Sequence, residues 1–200
     1  MRIFRPACFI TAALLCLLSL QRVSAATATV DLHDGKAVVL DHLPWNFYWN
    51  KFLSADDFKR NAQAPDLVTQ PASVWNGLQL RGQNLSSFGY ATYAVKFQTG
   101  MPGERLALRL PPPLTSYRVF IDGALMGEVG KPAESAEQYV ARRKSSLIYF
   151  TPAGNEIEIV IHVANYLTHK GGLRGKIELG RAEQMQSFGV RYLAIDLFSI

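Results

Sequence analysis

The chain has 200 residues, 48% hydrophobic and 18% charged, with a formal net charge of +5. That is enough apolar material for one ordinary core without staples, and too little basic excess for a nucleic-acid surface or a polybasic membrane patch. Both cysteines, Cys8 and Cys16, lie in one N-terminal apolar run, so the rest of the chain has no thiol for a disulfide or a metal site.

That run, "ACFITAALLCLLSL", follows Arg2 and Arg5 and leads to "VSA" at Val23 to Ala25, the small-residue pattern of a secretory cleavage site. It is shorter than the roughly 18 apolar residues a membrane span wants. Residues 1–25 therefore read as a signal peptide and the remainder as an exported chain, periplasmic or at the outer face of the inner membrane. Removing Arg2, Arg5 and Arg22 leaves 18 basic residues against 16 acidic ones, or +2.

Residues 26–180 read as one domain. In "PWNFYWNKF", strand alternation sends Trp45, Phe47 and Trp49 to one face and Asn46, Tyr48 and Asn50 to the other. The first face suits a core. The second, with two amides and a phenol, suits a sugar or another polar small molecule. Trp75, Tyr90 and Tyr93 read as core anchors. "YATYAVKF" places Tyr93, Val95 and Phe97 opposite Thr92 and Lys96, and "RLALRL" alternates Leu106, Leu108 and Leu110 against Ala107 and Arg109. "LPPPLTS" is a rigid loop entry, and "SYRVFIDG" alternates Tyr117, Val119 and Ile121 before a structural turn at Asp122-Gly123. "NEIEIVIHVAN" turns Ile157, Ile159, Ile161 and Val163 inward and Glu156, Glu158 and His162 outward. Short strands spaced by Gly and Pro predict an all-β sandwich or jelly roll. The tail, 181–200, carries Met185, Phe188, Tyr192 and Ile195 at helical spacing.

Catalytic patterns are weak. A glycosidase needs two carboxylates across a cleft, whereas Asp56, Asp57, Asp122, Glu156 and Glu158 fall on a polar segment, a turn and an outward strand face. There is no Gly-x-Ser-x-Gly elbow and no phosphate-binding glycine loop. The four histidines, His33, His42, His162 and His169, are scattered, and no Asp-rich series marks a calcium loop. The reading is a non-enzyme without a cofactor. The segment after the last long strand holds Tyr166, His169, Lys170, Gly171, Gly172 and Arg174. As a rim, it would pair a flat phenol with donors that favour a carboxylate or an acidic sugar, the glycines allowing a sharp turn. As a plain hairpin, it would hold only solvated charges. The sequence-derived ligand set is Tyr48, Asn50, Tyr166, His169, Lys170 and Arg174.

Taken in order, "WNFYWNKFLSADDF", "QPASVWNG", "GYATYAVKF", "YRVFIDGALMGEVG" and "NEIEIVIHVANYLTHKGGLRGKIELG" resemble the periplasmic sensor domain of bacterial seven-transmembrane receptors with diverse intracellular signalling modules. The resemblance covers nearly the whole exported chain, and Asn165-Tyr166 followed by His169 to Leu173 is its most specific block. It implies a galactose-binding-like jelly roll, similar to the sugar-binding domains that flank some glycosidases, and a receptor role with a membrane signalling partner or a transmembrane module beyond this chain. The competing expectation is a non-catalytic interaction module that docks on a membrane partner through Phe188, Tyr192 and Ile195.

Overall fold

A computed structural model describes residues 27–60, 63–71, 73–112 and 115–186. The signal segment, Phe188, Tyr192 and Ile195 lie outside the described residues. In chain order the strands are β1 (Ala28–Thr29), β2 (Val38–Val39), β3 (Trp45–Trp49), β4 (Leu67–Thr69), β5 (Gln79–Leu80), β6 (Gln83–Asn84), β7 (Gly89–Gln98), β8 (Leu106–Leu110), β9 (Ser116–Ile121), β10 (Ala124–Val129), β11 (Ser146–Phe150), β12 (Glu156–Asn165) and β13 (Glu178–Arg181), and a short α-helix, α1 (Ala55–Arg60), follows β3.

Two sheets face each other. The larger runs β10-β9-β12-β7-β3-β4, with β1 added parallel to the end of β7, and the smaller runs β11-β8-β13-β2. β5 and β6 form a separate hairpin. The expected alternation selects the layer between them. Phe47, Tyr93, Val95, Phe97, Tyr117, Val119, Ile157, Ile159 and Ile161 of the large sheet meet Leu106, Leu108, Leu110, Ile148 and Leu179 of the small one, with Ile177 just before β13, in a single buried cluster. An all-β jelly-roll sandwich is the result, and the anchor reading of Trp75 and Tyr93 holds, both being fully or almost fully buried. Tyr90 departs from that reading: it lies half-buried on the opposite face of β7, because it is an odd number of residues from Tyr93.

The Asp122-Gly123 turn joins β9 to β10 with both φ angles positive, +49° and +83°, as a tight hairpin turn requires. Asp122 Oδ1 also accepts from the Glu158 amide at 2.9 Å, tying the turn to β12. Residues 182–186 are helical and bury Ala182 and Met185.

The outward face of the large sheet is not open along its length. After β3 the chain turns at Asn50, φ +51°, and residues 51–60 cross back over that face as a strap. Lys51 O accepts from Thr92 Oγ1 at 2.7 Å, and the Leu53 amide donates to the same hydroxyl at 3.0 Å. Tyr48, Leu53, Ala94 and Val160, with Phe58 of α1 and Phe120, form a second small apolar cluster beneath it.

Candidate functional site

Two places collect the polar and aromatic residues singled out by the sequence. The first is the turn after β12. Asn165 is fully buried, and its Nδ2 donates to Ser87 O at 2.7 Å and Thr168 O at 2.8 Å. Asn76 Nδ2 donates to Ser87 Oγ at 2.6 Å and His169 O at 3.1 Å, while its Oδ1 accepts from the Gly171 amide at 2.9 Å. Ser87 Oγ donates in turn to His169 O at 3.0 Å. Three loops are thus knotted through side-chain amides that satisfy turn carbonyls, which would cost about 1–3 kcal/mol each if buried unpaired.

The two glycines of this turn have different reasons. Gly172 has φ +104°, a conformation that favours glycine. Gly171 has no such angle; a Cβ there would stand 2.2 Å from Cε2 and Nε1 of Trp75. The Trp75 amide donates to Gly171 O at 3.0 Å, so the indole and the turn are clamped face to backbone. The pair that reads as freedom to turn is half freedom and half close packing.

The second place is the outward face of the large sheet beside the strap. A groove of about 500 Å³ is lined by Phe52, Arg118, Lys131, Pro132, Ala133, Glu134, Ser135 and Gln138. The Phe52 ring lies 4.7 Å from the His162 imidazole at an interplanar angle of 17°. One face of Phe52 is therefore covered by His162, and the half-buried ring is one of the residues that line the groove. Tyr90 buttresses Phe52, with centroids 4.9 Å apart.

His162 itself is 6% exposed. Its Nε2 stands 2.9 Å from Leu53 O; a carbonyl can only accept, so Nε2 carries the proton and Nδ1 is left as an acceptor. That Nδ1 is buried with no partner. Burial pushes the imidazole below its ordinary range, with Arg118 acting the same way and the Leu53 carbonyl and Asp57 opposing. Arg118 and His162 are register partners on β9 and β12, and Arg118 is paired with Glu128 at 2.7 Å. The Tyr90 phenol is raised by burial and then by Glu134, whose Oε2 it approaches at 3.5 Å. Tyr166 donates to Glu134 O at 2.6 Å, and its phenol is raised by burial, Tyr90 and the carboxylates of Glu134 and Glu137.

The six sequence-derived residues separate on this map. Tyr48 faces outward as alternation demands, yet it is 2% exposed. It lies under Phe58, and its hydroxyl donates to Gln63 O at 3.3 Å. The strap closes it off, so it is a packing residue and not a ligand contact. Asn50 is exposed at the turn before the strap. His169, Lys170 and Arg174 are exposed at the knotted turn and do not line the groove. Tyr166 alone adjoins it, through Glu134. Phe52, Arg118, Glu134 and Gln138 were not singled out by sequence reading; the aromatic density around Phe52 was the available signal. Among the described residues no cluster of His, Cys, Asp or Glu could hold a metal ion, and no helix is long and apolar enough to cross a membrane.

No protein-family model matches the sequence, and no curated protein matches it. Solved structures do match in fold. A GH2 β-galacturonidase from Eisenbergiella tayi bound to galacturonate aligns with TM-score 0.52 at 12% identity, over 73% of this chain and 24% of that one. A β-glucuronidase from Ruminococcus gnavus in complex with uronic isofagomine aligns with TM-score 0.51 at 13% identity, over 76% of this chain and 29% of that one. The chain thus spans 24% and 29% of those two proteins, and the likeness is one of β-sandwich fold.

Proposed function

We propose that this chain is a non-catalytic, exported ligand-binding module for a carbohydrate-like molecule, serving as the extracytoplasmic sensing part of a bacterial transmembrane receptor. The observation that carries the binding reading is the groove beside the strap. Phe52 is held flat on His162 and lines the groove together with Arg118, Lys131, Glu134, Ser135 and Gln138. A sugar ring packs its C–H face on such a plate while the polar groups take its hydroxyls. The plate is preorganised, because Leu53 on the strap is tied to both Thr92 and His162, so little ordering entropy is lost on binding.

A binding role without chemistry is supported by the charges. Glu134 is the one carboxylate among the groove's lining residues, where glycoside hydrolysis asks for two. Glu156 and Glu158, the pair with strand spacing, both lie within 4 Å of Lys96 Nζ. The receptor part of the proposal rests on the ordered sequence blocks that resemble the periplasmic sensor domain of seven-transmembrane receptors. It also rests on the signal-like N-terminus, which supports export. The uronic ligands of the structural neighbours make acidic sugars and small carboxylates natural first probes beside neutral sugars.

The test is a thermal-shift series of the chain with galacturonate, glucuronate and neutral hexoses. A ligand at a hundredfold excess over Kd stabilises by about 2.7 kcal/mol. Loss of the shift in Phe52→Ala, with the shift retained in Lys170→Ala, is the expected result. Retention in Phe52→Ala and loss in Lys170→Ala would move the site to the knotted turn. No shift with any saccharide would overturn the carbohydrate reading.

A further inference from the structure

A hollow of about 430 Å³ opens at one end of the small sheet, lined by Glu104, Arg105, Tyr149, Arg181, Glu183 and Gln186. It shares no lining residue with the groove on the large sheet. The strand register brings these residues to one corner. Leu106, the first residue of β8, is the partner of both Phe150, the last of β11, and Arg181, the last of β13. Arg105 and Tyr149 each stand next to that row in the chain. The Ala182 amide donates to Arg105 O at 3.0 Å, which ties the segment carrying Glu183 and Gln186 to the same corner. Met185 of that segment is buried, so the wall it forms is docked on the core.

The charges of the hollow are unspent. The Arg105 guanidinium carbon lies 5.1 Å from the centroid of the Tyr149 ring, a cation–π contact that fixes the fork without neutralising it. Arg181 is half-buried, and its Nε is shut off from water with no acceptor. Among the described residues the arginines in ion pairs are Arg60, Arg109 and Arg118, and the glutamates are Glu128, Glu156, Glu158 and Glu178. Arg105, Arg181, Glu104 and Glu183 take part in none of these pairs. A partly desolvated guanidinium is costly without an acceptor, and a carboxylate meets it with two parallel N–H···O bonds. The two glutamates decide which carboxylate fits. Beside them a bare anion meets repulsion as well as attraction, whereas a ligand with both signs satisfies both halves of the lining.

We propose that this hollow binds a small zwitterion, an α-amino acid, with its carboxylate on the arginines and its ammonium on the glutamates. The volume lies at the lower end of the range for ligand pockets, which suits a molecule of that size.

The experiment is isothermal titration of the full chain with L-alanine, propionate and ethylamine, the last two each lacking one of alanine's charged groups. Alanine is expected to bind at least about tenfold more tightly than either, the factor that one charge-assisted hydrogen bond supplies. Arg105→Gln, at an exposed position, and Arg181→Gln should each weaken alanine by a similar factor. Glu183→Gln should weaken alanine without weakening propionate, with each variant's melting temperature checking that it folds. Equal affinity for alanine and propionate would overturn the zwitterion assignment. No alanine binding, or binding unchanged in both arginine variants, would overturn the site, while the saccharide series at the groove is read separately.

Discussion

Gly171→Ala is the sharpest probe of the knotted turn. The new methyl carbon would stand 2.2 Å from the Trp75 ring atoms Cε2 and Nε1 and 2.5 Å from Cζ2. Trp75 has 0% exposure and stands edge-on to Trp49 at 5.1 Å, so the indole has nowhere to retreat and the turn must lift. Overpacking of this kind costs about 1–3 kcal/mol. Lifting the turn also loosens the two hydrogen bonds that Gly171 makes, to the Trp75 amide at 3.0 Å and to Asn76 Oδ1 at 2.9 Å, worth about 1 kcal/mol each. The expected loss is about 3–5 kcal/mol, read by urea unfolding followed through tryptophan fluorescence, or roughly 6–20 °C in Tm for a domain of this size. Gly154→Ala is the control: nothing lies within 4 Å of its added carbon, so that variant should be neutral or gain up to about 1 kcal/mol. A Gly171→Ala protein within about 0.5 kcal/mol of the parent, the range of an ordinary surface change, would refute the clamp between Trp75 and the turn.

Removing the other half of that clamp, Trp75→Ala, should cost about 3–5 kcal/mol in the same assay; a small effect would place the indole outside the core. Phe52→Ala should abolish saccharide shifts while changing stability far less than Trp75→Ala, since its ring is half-buried, and a melting temperature as low as that of Trp75→Ala would make Phe52 a core residue instead. Burial holds the His162 imidazole below the ordinary histidine value of about 6.5 in the folded chain, so the unfolded chain binds the extra proton. Stability should therefore fall as pH drops below about 6.5 and flatten once the folded-state value is passed. His162→Gln, which keeps a donor for Leu53 O, should flatten that part of the profile, and an unchanged pH profile would remove His162 as its source.

Local pattern alone carried most of the sandwich. Strict alternation in β7, β8, β9 and β12 states which side chains turn inward, because a pleated strand has no other way to place successive residues. The Asp122-Gly123 turn was equally legible, since few residue pairs accept two positive φ angles. The same rule also placed Tyr48 and His162 outward, and there its reach ends. Alternation names a face without saying what covers it. The cover is the strap, whose Leu53 meets Thr92 across 39 positions and His162 across 109; a period of two residues contains no information about partners so distant. The strap converts Tyr48 from a ligand contact into packing, and it lays Phe52 flat as a plate beside the groove. Gly171 follows the same logic: its composition suggests a flexible turn, while its necessity comes from an indole 96 positions earlier in the chain. Backbone chemistry and hydrophobic spacing determine which faces exist, and only the three-dimensional arrangement decides which of them stays open to bind.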